Sequence, residues 1–326
     1  MQYKKLGRTG LKVSAICLGT ATYGHQVNEI EAINIIKRAL AAGINFFDTA
    51  DMYAEGKCEE IIGKAFKEER HSVVLATKVG NKMGPGVNDV GSSRKHIMKG
   101  IEDSLCRLQT DYIDLYYIHT PDYTTPMEET LRALDDLVQQ GKVRYIGLSN
   151  FHAWQLCKAL WLSDRYNLAR FDCIQSPYNL LTRDIEYELL PLCSSEGVGI
   201  CVWAPLAGGL LTGKYDPNKP PPKGTKFTTV GNRRSYHDIY WSAANFEAVA
   251  RLKQIAEGHG CSLAQFALAW ILSNSTITSA ICGTTSVKQL EENLGASEVK
   301  LSQEELAACD EVWQKLSPRP KLFYGR

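Results

Sequence analysis

The sequence predicts an α/β fold: a (β/α)8 barrel, the TIM-barrel arrangement, with an N-terminal β-hairpin, a long loop after strand 7 and an extra C-terminal helix. Three observations carry this. Short apolar runs alternate eight times with segments of helical spacing, each unit long enough for a parallel crossover. The first strand runs into Leu18-Gly19-Thr20-Ala21-Thr22-Tyr23-Gly24, which does not fit the GxGxxG turn of an open doubly wound sheet. Finally, Thr20, Asp48, Lys78, His119, Asn150, Gln175, Trp203 and Gly283 each stand at one of the eight strand ends, and closing the strands into a barrel places those ends on one rim.

The elements follow in order. Residues 1–12 read as a hairpin punctuated by Gly7 and Gly10. Val13 to Leu18 is the first strand, and Asn28 to Ala42 is a helix through Ile30, Ile33, Ile36 and Leu40 that stops at Gly43. Strands at 45–47, 73–78, 113–118 and 143–148 then alternate with helices at 58–67, 94–108 and 127–140. Helices at 153–166, 184–196 and 263–272 precede strands at 171–175, 198–203 and 279–282, and a helix at 287–295 follows the eighth strand. Two segments fall outside the repeat. The polar stretch between Tyr215 and Ala243 is too long for an ordinary connection, and loops of that size tend to be functional. Residues 302–316 form a helix that opens with Ser302 and Glu305 at capping-box spacing.

A chain of 326 residues could hold two average domains, but a barrel of this kind often uses that length for one, so residues 1–326 are expected to form a single domain. With 44% hydrophobic and 22% charged residues and a net charge of +1, composition supplies no electrostatic reason to expect nucleic acid or an anionic membrane as partner. No apolar run is long enough to span a bilayer, and Met1-Gln2-Tyr3-Lys4-Lys5 lacks the apolar core of a signal peptide, so the expected location is cytoplasmic. The ten cysteines are scattered singly, without metal-finger or redox-motif spacing, and read as reduced structural thiols. Oligomeric state is left open.

Chemistry concentrates at the second strand. Asn45-Phe46-Phe47 delivers Asp48 and, five residues on, Tyr53; the next two strands deliver Lys78 and His119. Singly, each has an ordinary reading: a loop carboxylate, an exposed aromatic, a solvated strand end, a structural histidine. Jointly, at three consecutive strand ends, they form a proton-transfer set. A phenol has a pKa of about 10, and a neighbouring ammonium is expected to lower it.

The order Asp48, Tyr53, Lys78, His119, together with Leu6-Gly7-Arg8-Thr9-Gly10, Leu18-Gly19-Thr20, Gly283-Thr284-Thr285-Ser286 and Glu292-Asn293, resembles the aldo-keto reductases over nearly the whole chain. That resemblance implies a catalytic tetrad in which Tyr53 is the general acid, Lys78 and Asp48 tune it, and His119 orients a substrate carbonyl whose hydride comes from a nicotinamide cofactor. It implies cofactor contacts from Gly19 and Thr20, and carboxamide binding by Ser149, Asn150 and Gln175. Trp203 stands where family members commonly carry a stacking tyrosine. The pyrophosphate is expected at Ala204, Pro205, Leu206, Gly208 and Leu210 with Lys214 nearby, and the adenosine end at Gly283, Thr284, Thr285, Ser286, Gln289, Glu292 and Asn293. Many family members pair a Lys or Arg with the 2'-phosphate, whereas this segment offers hydroxyls and Gln289, with Arg233 or Arg234 as loop candidates. Hydroxyls and helix amides can still bind a phosphate, so NADP(H) is favoured, with NAD(H) close behind.

Tyr23, Met52, Tyr123 and Trp241 are candidates to line a pocket for a small carbonyl or alcohol, including sugar-like aldehydes. Two other classes compete. A metal-dependent barrel hydrolase is disfavoured because none of the seven histidines forms an HxH pair. A nucleotide-binding redox sensor or auxiliary subunit with slow turnover, similar to the potassium-channel beta subunits that resemble this family, would retain the same cofactor fold.

Overall fold

The computed structural model describes residues 1–228 and 236–317; Arg233, Arg234 and the tail from Pro318 lie outside the described residues. The chain divides into two compact units. Residues 1–176, 185–203 and 275–291 form the first, and residues 177–184, 204–274 and the chain from Glu292 form the second.

The first unit holds the hairpin, β1 (Tyr3–Lys5) and β2 (Lys12–Ser14), and the barrel strands β3 (Ile16–Gly19), β4 (Phe46–Asp48), β5 (Val74–Val79), β6 (Ile113–Ile118), β7 (Val143–Ser149), β8 (Phe171–Pro177, as far as Ser176), β9 (Gly199–Trp203) and β10 (Ile277–Gly283). The barrel is closed in sequence order, with β10 pairing β3, and every pairing with a recorded register is parallel. Helices α1 (Glu29–Ala41), α2 (Lys57–Ala65), α3 (Arg94–Leu108), α4 (Met127–Gln139), α5 (Ala153–Tyr166) and α6 (Leu189–Glu196) intervene between strands. Their starts are chemically marked: Asn28 accepts from the Glu31 amide at 3.0 Å, which satisfies one of the donors a helix leaves orphaned at its N-terminus.

Strand alternation sorts side chains inward and outward. Cys17, Phe46, Ala76, Leu115, Tyr117, Cys173, Cys201 and Ile281 point inward as one buried cluster, which Leu6 and Val13 of the hairpin segment close from below. Gly7, at φ +55, is needed there because a Cβ would lie 2.4 Å from the Gly197 carbonyl oxygen. The continuous strand expected from Val13 to Leu18 is in fact two. Lys12–Ser14 pairs antiparallel with β1, the chain breaks at Ala15, and Ile16–Gly19 enters the barrel. Likewise, the helix expected at 184–196 is a short 3-10 turn at Asp184–Glu186 followed by α6.

The second unit contains α7 (Tyr236–Tyr240), α8 (Ala243–His259), α9 (Leu263–Ser273) and α11 (Gln303–Leu316), while α10 (Val287–Gly295) begins in the first unit. The capping box at Ser302 is present: its hydroxyl accepts from the Glu305 amide at 3.2 Å, and its own amide donates to Glu305 at 2.7 Å. Glu305 also meets His259 Nδ1 at 2.7 Å, which ties α11 to α8. Helix α8 has no counterpart in the sequence reading. No helix among the described residues is long and apolar enough to cross a membrane.

Candidate active site

Two phenylalanines set the position of the site. Phe46 faces the barrel interior and Phe47 packs outward against Phe66 at 4.7 Å between ring centroids, so Asp48, next in the alternation, turns inward. On the neighbouring strand Ala76 faces in and Thr77 out, which sends Lys78 inward as well. Both charges are buried, Lys78 at 0% and Asp48 at 3% exposure, and each replaces lost water with protein partners. Lys78 Nζ donates to Asp48 Oδ1 at 2.5 Å and to the Thr49 carbonyl at 2.7 Å, and reaches the Tyr53 hydroxyl at 3.5 Å. The other carboxylate oxygen, Asp48 Oδ2, accepts from Gln175 Nε2 at 2.7 Å.

Tyr53 reaches this cluster because the loop after β4 is short and pinned. Thr49 donates its amide to Ala76, Asp51 to the carbonyl of Lys78 at 3.2 Å, and Tyr53 to Ala50, after which Ala54 and Glu55 take left-handed conformations (φ 48 and 54). The His119 ring lies edge-on to Tyr53 with centroids 5.9 Å apart. Its backbone is fixed on both sides, since its amide donates to Val79 at 2.8 Å and its carbonyl accepts from Asn150 Nδ2 at 2.9 Å. Asp48, Tyr53, Lys78 and His119 are thus brought together.

Two opposing influences act on the titratable groups. Burial would lower Lys78, but Asp48 and Tyr53 outweigh it and hold the ammonium above its ordinary range. For Tyr53 burial wins: its pKa is raised, although Lys78 pulls in the lowering direction through both charge and hydrogen bond. The lowering expected from the sequence is present as one contribution and is overcome by desolvation.

The residues expected to meet a carboxamide are close together and already bonded. Asn150, at φ +66, donates to Ser149 Oγ at 3.0 Å and accepts from Trp203 Nε1 at 3.1 Å. Thr20 is buried, and its hydroxyl donates to the Asp48 carbonyl at 2.9 Å. At the end of β10, Gly19 and Gly283 are paired in register and Gly283 is exposed. The Thr284 hydroxyl is fully buried and faces the equally buried Tyr23 hydroxyl. Thr285 donates from amide and hydroxyl to Gln289 Oε1 at 2.9 and 3.1 Å, and Ser286 Oγ accepts from the Gln289 amide at 3.3 Å. An exposed glycine strand end followed by two part-exposed hydroxyls at a helix start suits a polar ligand.

The remaining candidates scatter. Met52 and Tyr123 are exposed, and Tyr23 is fully buried close to Thr284, with its pKa raised by burial. In the second unit Trp241 sits in a cluster with Tyr215, Phe227 and Phe246 at 4.9–5.4 Å. Also there, Ala204, Ala207 and Gly208 have left-handed backbones, Pro205 and Leu210 are buried, Leu206 caps the following 3-10 turn, and Lys214 lies over the Tyr215 ring at 5.1 Å. On α10, Asn293 is buried, and the Glu292 carbonyl accepts from Gln265 at 3.2 Å.

Sequence reading missed the polar groups behind Lys78. On the outer wall of β5 and β6, Glu59 of α2 is fully buried, accepts from Thr77 Oγ1 at 2.5 Å and pairs with Arg107 Nε of α3 at 2.7 Å. The signal for Glu59 was its position three residues before Ile62, on the apolar face of its helix. Among the described residues no cluster of His, Cys, Asp and Glu could hold a metal ion.

Comparison with known proteins identifies the family. The model of the Aldo/keto reductase family matches residues 15–314. The chain is 39% identical to a probable voltage-gated potassium channel subunit beta of Arabidopsis thaliana, covering 99% of this chain and 100% of the relative. It is 40% identical to a putative voltage-gated potassium channel subunit beta of Schizosaccharomyces pombe, over 95% and 92% of the two chains. It is 38% identical to the uncharacterized oxidoreductase YrpG of Bacillus subtilis, over 96% of each. With a closed eight-stranded parallel barrel and a family match over nearly its whole length, this chain belongs to the aldo/keto reductase family.

Proposed function

We propose that this protein is a nicotinamide-dependent reductase of small aldehydes or ketones, with NADP(H) as its first-choice cofactor. One observation carries the reading: a single buried ammonium, Lys78, is shared by Asp48, the Thr49 carbonyl and the Tyr53 hydroxyl at the mouth of the barrel. A reduced nicotinamide supplies hydride when bound. In the first unit Thr20, Ser149, Asn150, Gln175, Trp203 and the segment Gly283–Ser286 are the residues to hold it, and the exposed Gly283 followed by the part-exposed Thr285 and Ser286 fits such a polar ligand. Tyr53 keeps its proton at neutral pH because burial raises it, so it can deliver that proton to a developing alkoxide, which is a stronger base. Lys78 steadies the phenolate left behind, Asp48 fixes Lys78, and His119 orients the carbonyl oxygen.

The test is titration with NADPH and NADH separately, followed by Trp fluorescence, alongside turnover of an aldehyde panel. Tyr53→Phe is expected to lower turnover by at least about 100-fold while leaving nucleotide affinity nearly intact; equal loss of both would reject the role of Tyr53. A second reading has its own support, since relatives at 39–41% identity are named as potassium channel beta subunits. Tight nucleotide binding with negligible turnover across the panel would favour an auxiliary or sensor role.

A further inference from the structure

Asp51 lies on the loop that carries Tyr53, is 1% exposed, and no side chain pairs with its carboxylate, the Met52 amide being the one donor that acts on it. One amide does not replace the water that a buried carboxylate loses, so burial without a cation of its own favours the protonated acid. Its surroundings make the same demand. On α2 stands Glu59, already committed to Arg107 and Thr77, and on β6 the buried Tyr116 hydroxyl also lacks a partner. Arg107 of α3 is the nearby cation on the helical side, but its Nε serves Glu59 and its Nη2 donates to Ser104. Lys78 of β5 points into the barrel and is committed to Asp48 and Thr49.

This cluster grips the Tyr53 loop at two places. The Asp51 amide donates to the Lys78 carbonyl, and Gly56, at φ +91, fits so closely against the Arg107 side chain that a Cβ there would lie 2.7 Å from its Cδ. Tyr53 stands between these two anchors. We propose that Asp51 is a positioning residue for Tyr53: as a neutral acid it docks the loop against the Glu59–Arg107 pair, and its ionisation releases the loop and withdraws the proton donor. The proposal rests on the reductase reading for its catalytic consequence, though not for the loop itself.

Burial first, and Glu59 second, push the Asp51 carboxyl up to about 8, against lowering by the Met52 amide, Arg107 and Lys78. Because the folded value lies above the unfolded one, the stabilisation from Asp51 is complete at acid pH and is lost as pH rises through about 8. Turnover should fall over the same upper range, well before Tyr53 itself ionises.

Three measurements test this. In difference infrared spectra of the wild-type protein, a protonated carboxyl band should persist at pH 7 and disappear with a midpoint near pH 8; a carboxyl already ionised at pH 7 overturns the proposal. With a turned-over carbonyl at saturation, wild-type kcat should be about tenfold lower at pH 9 than at pH 7, as expected for one ionisation near 8. Asp51→Asn, the neutral isostere, should abolish that fall, and an unchanged fall overturns the proposal. Hydrogen-exchange protection of the amides of residues 49–56 needs no turnover. It should drop above pH 8 in wild type and stay constant in Asp51→Asn, whereas pH-independent protection in wild type overturns the proposal. Failure to turn over any carbonyl would sink the reductase reading alone and leave the infrared and exchange results to decide on Asp51.

Discussion

A lysine ammonium with no exposure to solvent persists only where oxygens replace its water, and Lys78 has a carboxylate, a carbonyl and a phenol. Removing one buried charge of such a pair strands the other, which costs about 3–5 kcal/mol. Asp48→Asn should therefore lower unfolding free energy by about that amount in urea titrations; a change below about 1 kcal/mol would mean the pair is solvated in solution. Asp48, Lys78 and His119 were legible in the sequence because each closes an apolar run whose direction could be read. Tyr53 was legible only beside them. The upward shift of its hydroxyl was not, since desolvation depends on packing that no spacing reveals. Asp51 was illegible for the same reason: in sequence it is a polar loop residue, and only folding sets it against Glu59 and Tyr116.

Loops and strand ends tell a similar story one level up. The loop after β6 is organised by Asp122, whose oxygens accept from the Ser92 amide at 2.8 Å, the Thr124 amide at 2.9 Å and the Thr124 and Thr125 hydroxyls at 2.6 and 2.7 Å. Partial burial would raise its pKa, but these bonds hold it well below the usual carboxylate range. A depressed value means stabilisation present at neutral pH and lost on acidification. Asp122→Asn should thus cost about 1 kcal/mol at pH 7, discounted for partial exposure, and the difference should vanish in thermal melts at strongly acid pH. Equal destabilisation at both extremes would assign the effect to packing. The elements that escaped sequence reading have local causes. At Ala15 an apolar run continues while the strand changes partner, which composition cannot register. Helix α8 buries Ala248, Val249, Leu252 and Ala256, a face half built from alanine and adjoining a polar stretch, so its periodicity is faint.

The whole chain reads most clearly where repetition multiplies a weak signal: eight strand-to-helix units point to one closed barrel even when single boundaries slip by a few residues. Family membership over residues 15–314 rests on that same breadth. Distribution along the fold also governs the ten thiols, of which Cys106 and Cys157 are exposed, Cys261 is intermediate and the other seven are buried. None is paired in a disulfide, and burial raises Cys17 inside the barrel and Cys282 on β10, making them poor nucleophiles until the chain opens. The molecule therefore carries its own chemical clock. A bulky disulfide reagent should consume two thiols quickly under native conditions, a third more slowly, and the remaining seven only at the rate of unfolding. Rapid release of more than three equivalents from folded protein would contradict this burial pattern. Because most of the shielded thiols lie on barrel strands, the slow phase would time the opening of the wall that holds Asp48 and Lys78.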